Sequence, residues 1–418
     1  AISGISTGLL TSLAVNGLST AQVALMNTTQ IGALTTTQVT SLNTTQVSSL
    51  SSTLLRGLST TQLQALTTSG SSQVGALTTG QLQALTTGSV ASLLSAQIAD
   101  LGTGQVAALT TAQVQNLTTD QVASLTTASA NQLASLTTNQ VQALTTGQLG
   151  AVTSTKFASL TTGELQALTT AQVASLSTDQ INALSSTKLN ALETVDVAAL
   201  TTTQVAGIAT GMVSNLSTTV MVALTGTQIG SLSTAQIGQL STTQLQAIEV
   251  ADVSSLTSTQ VNVLDSTHLQ ALSTSQLQAL SGAVITGLTT GASGTLNAMS
   301  TTQLAALTNS QVGALSTSAI STITTTGNLQ AFSAAQLGAM TTSQLQSLTT
   351  TQVATLSTGS SGQISQLSGA AVNNLSSSQV GALTSVQVGY LSDTAISGIS
   401  TGLLTSLAVN GLSTAQVA

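Results

Sequence analysis

Cysteine, proline and tryptophan are absent from this 418-residue chain, and charged and aromatic side chains nearly so. Without cysteine there is no disulfide and no thiolate metal site. Without proline, a charge block or a long linker-like run, nothing marks a domain boundary. Three basic residues cannot neutralise a row of phosphates, and one Tyr with two Phe offers no platform for stacked bases. Nucleic acid is thereby excluded as a partner. Charged residues are 3% of the chain, against roughly a quarter in ordinary soluble domains. No apolar stretch approaches the ~18 residues that span a bilayer, because Thr, Ser or Gln interrupts every few positions. The first residue is Ala1 and no signal peptide is visible, which decides nothing for a stretch cut from an array.

What the chain does have is repetition at two scales. Its first 24 residues, AISGISTGLLTSLAVNGLSTAQVA, return unchanged as residues 395–418. The chain therefore holds one 394-residue period, 1–394, and re-enters the next copy at 395–418. A tandem array has reason to restart in this way; a globular enzyme has none. The expectation is a single continuous repeat solenoid over 1–418, running unbroken through the seam.

Inside the long period lies a short one. From Leu160 the chain reads LTTGELQA, LTTAQVAS, LSTDQINA, LSSTKLNA, LETVDVAA, LTTTQVAG. The consensus is Leu-[Ser/Thr]-[Ser/Thr]-x-Gln-[Val/Leu/Ile]-x-[Ala/Ser], and 48 units fill the 394 residues. Four units have eleven residues (from Leu66, Leu125, Leu288 and Leu356), one has nine (from Ile323) and one has five (from Leu13). In every unit an apolar residue stands three positions before the next unit's first residue, as Val173 does before Leu176. Length varies only between the first residue and that second apolar one, so each unit has a fixed half and a connector.

A constant i, i+3 apolar pair lies on one helix face, whereas in a strand the two would point to opposite sides. With position 2 as N-cap, Ser/Thr stands at N-cap, Gln at N3, Leu at N′ and Val/Leu/Ile at N4. That is a capping box with a hydrophobic staple. The acids agree. Glu193, Glu249 and Asp265 fall at N-cap, Asp393 at N1, Asp120 and Asp179 at N2, and Glu164, Asp196 and Asp252 at N3. Only Asp100 lies outside the first turn, where a helix favours negative charge.

One long helix is ruled out. Eight residues overshoot two turns, so the apolar stripe would drift by about 80° per unit. The expected fold is all-α, a solenoid of very short capped helices, one per eight-residue repeat. A β-solenoid is the alternative, since Thr and Val favour strands. It fails to account for the i, i+3 constancy, the abundant Ala, Leu and Gln, and the placement of the acids.

No residue pattern announces chemistry. No catalytic, cofactor-binding or metal-ligating residue is expected. His268, the only histidine, stands at the Gln position, as do Lys156 and Lys188. It is expected to be a surface side chain, because one imidazole without clustered acids or Cys is neither metal site nor catalytic pair. Glu193 with Asp196, and Glu249 with Asp252, form two E-x-x-D pairs. Converging turns could make them calcium ligands, but calcium needs more oxygens than these, and as N-cap and N3 residues they replace Thr and Gln in the box. The Ser residues have no general base nearby. The Gly-rich stretches 68–73 and 289–295 resemble loop insertions and lack the Lys of a phosphate-binding loop. Sequons at Asn27 and Asn43 are expected by chance in a chain so rich in Ser and Thr.

Units such as LTTAQVAS (168–175) and LTTDQVAS (117–124) resemble the LTTxQVxAL octads of giant, low-charge bacterial surface proteins, often labelled adhesin-like. That resemblance implies export and an extracellular or cell-surface location. The LTTAQV opening also resembles the first helix of DNA-reading effector repeats from plant pathogens. The longer period, prolines and basic residues of that family are missing here, which removes the functional inference. The expectation is a structural, non-enzymatic protein that forms a fibre, stalk or tube segment with further copies of itself. The alternative is an adhesin-type module presenting a Ser/Thr/Gln-lined face to carbohydrate or another cell surface. Ice binding would be a third reading, and it needs a flat β face.

Overall fold

A computed structural model describes residues 4, 6–10, 14–127, 131–287, 295–324 and 327–417. Among these residues the secondary structure is entirely helical. The α reading holds, and the β alternative is not adopted. The chain divides into two compact units, Ala1–Ile208 and Ala209–Ala418.

Each octad folds as its capping signals dictate. In the unit from Leu34, the Thr35 hydroxyl accepts from the Gln38 N–H, and the Gln38 amide oxygen accepts from the Thr35 N–H. The helix Thr36–Ser41 then runs until Leu42 leaves the helical region at φ −62°, ψ 134°. The next N-cap, Asn43, is also extended. Two extended residues per unit turn the chain before the next helix begins, so the stripe never drifts. Asn27 and Asn43, the sequon residues, stand at N-cap and accept from the Gln30 and Gln46 N–H groups. Capping explains them.

Helices of four to six residues are far too short to persist alone. Burial holds them. Position 1 and the N4 position point inward in most described units, with Val409 and Val417 near the end of the chain as exposed exceptions; Val173 is fully buried and Leu176 is 5% exposed. Each such side chain contributes about 1.5–3 kcal/mol of transfer free energy, and neighbouring turns of the superhelix supply the surface that covers it.

The number of octads per turn, which the octad pattern leaves open, follows from the contacts. Helices three units apart pack together, as Ser95–Ala99 does with Thr119–Ser124, and Thr274–Ala279 with Thr301–Ala306. Through octads alone the polar ties between coils reach 28 residues: the Gln46 amide donates to the Leu18 carbonyl, and in the second unit the Gln260 amide donates to Leu232. Twenty-eight residues are three and a half octads. Helices in successive coils are therefore offset by half a repeat, each seated over the bend between two below.

The irregular units keep this register. In the eleven-residue unit from Leu66 the capping pair spans six residues instead of three: Thr67 N–H donates to Gln73 Oε1, and Gln73 N–H to Thr67 Oγ1. Ser357 and Gln363 do the same. The three extra residues loop out of the capping box. Each loop turns on a positive φ, at Gly70 (68°), Asn131 (30°) and Gly359 (111°), which glycine adopts without a Cβ penalty. The insertion at 289–294 and the start of the five-residue unit at Leu13 lie outside the described residues.

Candidate functional site

The side chain that joins one coil to the next is the N3 glutamine. Its capping role uses only the amide oxygen. The amide nitrogen points out of the box into the coil below, where it donates to two main-chain carbonyls at the end of the helix four units earlier. Gln172 shows the full set. Oε1 accepts from Thr169 N–H at 2.8 Å, and Nε2 donates to Val141 O at 2.8 Å and Leu144 O at 2.7 Å. Leu144 O lies past the end of the helix Thr138–Ala143, and Val141 O otherwise accepts only the Leu144 N–H that closes the last turn, at 3.2 Å. One buried amide thus satisfies the start of one helix and the end of another.

This contact recurs in both compact units. Gln62 bonds to Ile31 and Leu34, Gln204 to Val173 and Leu176, Gln276 to Leu245 and Ile248, and Gln387 to Val353 and Leu356. The separations are 31 and 28 residues where all intervening units are octads. They become 34 and 31 across an eleven-residue unit, as for Gln73. Across the nine-residue unit they are 32 and 29, as for Gln344. Across the five-residue unit they fall to 28 and 25, as for Gln416. The ladder counts units, not residues. The duplicated segment obeys it in both copies: Val15 and Leu18 accept from Gln46, while Gln416 donates to Val388 and Leu391.

Where N3 is Lys or His the side chain fits the same seat; the apolar N3 residues Leu54, Val220 and Ala319 are buried and bring no donor. Lys156 and Lys188 place their ammonium groups on Ala123 O and Ala158 O, carbonyls of the helix-end turns four units back. His268 places Nε2 2.9 Å from Leu240 O. The expectation of a surface histidine is corrected: its side chain is 18% exposed because it substitutes for the ladder amide. Asp265 caps the same helix, accepting from the His268 N–H, and its carboxylate lies 2.7 Å from Nδ1 without hydrogen-bond alignment. The His268 N–H, and next the cost of burial against the pull of the ring, leave Asp265 below the usual carboxylate range.

The carboxylates at N3 are the misfits. Glu164 keeps the capping bond, with Oε2 accepting from Thr161 N–H at 2.5 Å, but its other oxygen is buried and has no partner. Desolvation raises its pKa, opposed by the Thr161 N–H and hydroxyl and by Lys188. Asp196 is 2% exposed, and burial followed by the nearby Glu193 charge raises its pKa too. The reading of the two E-x-x-D pairs as capping boxes is corrected as well. Neither Glu193 nor Glu249 accepts a capping bond. Glu is one methylene longer than the usual cap residues, and Asp at N3 is one shorter than Gln.

Among the described residues no group of three His, Asp or Glu could hold a metal ion, and no helix is long and apolar enough to cross a membrane. Asp100, the stray acid, follows the helix Ser95–Ala99 and accepts from the Ser72 hydroxyl one coil away. Compared with known proteins, the chain matches the model of the ALTTAQ repeat family in three places, residues 90–127, 157–194 and 325–358. No curated protein matches it.

Proposed function

We propose that this chain is a structural repeat protein, a segment of an extracellular fibre, stalk or tube at a cell surface or in a matrix, assembled from further copies of the same period. The observation that carries this reading is the ladder. Wherever glutamine stands at N3 the same pair of contacts recurs, and the ladder tolerates units of five, eight, nine or eleven residues without losing register. Such a stack has no preferred end, because adding a coil repeats an existing contact. Near-absence of charge removes long-range repulsion between chains that lie side by side.

Electron microscopy of the native material tests this. Filaments with a regular axial feature are expected; compact isolated particles without one would refute it. The adhesin-type alternative draws on the outward Ser and Thr of the first helical turns, such as exposed Thr36 and Thr37. Glycan-array binding by the 418-residue chain would favour it. The ice-binding reading loses its basis, since the described residues contain no strand.

A further inference from the structure

The ladder seat is built for a donor. Its lower wall is two carbonyl oxygens, and glutamine, lysine and histidine all bring N–H groups to it. Glu164 brings none when ionised. Its Oε2 occupies the place of the glutamine oxygen, on the Thr161 N–H, so Oε1 stands where Nε2 stands in the isosteric residue. Eight residues on, Gln172 bonds to Val141 and Leu144, 31 and 28 residues back. The same spacing brings the carbonyls of Leu133 and Leu136 to Glu164. Three oxygens then converge on a buried space with no hydrogen between them, and Oε1 has no partner. A cation has no room where the carboxyl oxygen already fills the amide's place; a proton does.

We propose that Glu164 is a proton-carrying rung, joining its coil to the one below as a neutral carboxylic acid, with Oε1–H donating to a carbonyl of the Leu133–Leu136 turn, and loosening that joint when it ionises. The step is a simple proton release to solvent. The coil below brings no ionisable side chain between residues 131 and 143. The coil above brings Lys188, whose ammonium is engaged with the Ala158 carbonyl and whose charge pulls toward ionisation. Lys156 stands one unit earlier with its ammonium on Ala123. Burial outweighs the Lys188 pull. The inference depends on the ladder alone and holds whether or not the chain forms fibres.

The chain contains three glutamates, 164, 193 and 249, so carbon-13 labelling of glutamate side-chain carboxyls gives three NMR resonances. Loss of one in Glu164→Gln assigns it. Its titration midpoint is expected above the ordinary glutamate range. In parallel, amide exchange across Thr162–Gln166 and Leu133–Ser135 is compared between the native chain and Glu164→Gln at each pH. The variant restores the standard rung, so it folds. It is expected to be at least about tenfold better protected at pH 8 and equal at pH 4. A Glu164 midpoint in the ordinary range, or a protection ratio that does not change with pH, overturns the proposal.

Discussion

Replacing Gln172 by Met tests how much of the coil-to-coil cohesion the ladder carries. Methionine matches the length and volume of glutamine, so the buried stem keeps its packing and the cavity term stays small. The loss is polar. Thr169 N–H loses its acceptor, the Leu144 carbonyl loses the amide donor, and the Val141 carbonyl keeps only the Leu144 N–H. A net contribution of about 0.5–1.5 kcal/mol per hydrogen bond, with some added cost for orphaned buried groups, gives about 2–4 kcal/mol. A long repeat array does not unfold in two states, so the assay is local: native-state amide exchange across Thr138–Ala143 and Thr170–Ser175. The control is Gln64→Met, which removes one exposed bond to the Ser92 carbonyl and costs about 0.5 kcal/mol or less. Equal effects of the two substitutions would refute the ladder as the main polar tie between coils.

Other outcomes follow from the same geometry. Deleting Ser69, Gly70 and Ser71 turns the eleven-residue unit into the octad LTTSQVGA. Chemical denaturation is expected to show stability unchanged or a few tenths of a kcal/mol higher. A loss above about 1 kcal/mol would contradict a looped-out insertion. Phe157→Ala empties a fully buried position and is expected to cost about 3–5 kcal/mol by local exchange; an effect below 1 kcal/mol contradicts the burial. Between pH 4 and 8, Glu164 and Asp196 are expected to make the fold less stable as pH rises. Both are raised in the folded state, so their contribution is complete below the ordinary carboxyl value and fades as pH climbs through the folded one. Asp265, which is lowered, works in the opposite sense: its contribution is lost as pH falls. Denaturation midpoints of Glu164→Gln with Asp196→Asn that keep the native pH slope would contradict this account.

The sequence makes the helix legible because caps and staples are local. Ser/Thr at position 2 and Gln at position 5 lie three residues apart, and their bonds depend on nothing outside the octad. The coil of three and a half octads is not local. It is set by which carbonyls the amide nitrogen finds about 30 residues away, and the octad looks the same whatever that number is. One signal pointed there. A helix N-terminus favours Glu over Gln at N3, yet this chain has Gln there in 30 of its 48 units and Glu only at 164. A capping box alone gives no reason to avoid the acid; a second, donating role does. Among the residues that replace it, Lys156, Lys188 and His268 keep that capacity, which is why treating His268 as surface missed the seat it fills.

The absence of cysteine allows a direct test of the coil itself. A Cβ built on Gly230 lies 3.6 Å from the Ser255 Cβ, 25 residues on, within the range a disulfide bridges. The chain carrying Gly230→Cys and Ser255→Cys is expected to oxidise rapidly to an intramolecular disulfide with no loss of helical far-UV circular dichroism. Gly230→Cys paired with Val263→Cys, one octad further along, is expected to stay reduced. Free thiols in the first pair, or equal crosslinking of both, would contradict a solenoid of three and a half octads per coil.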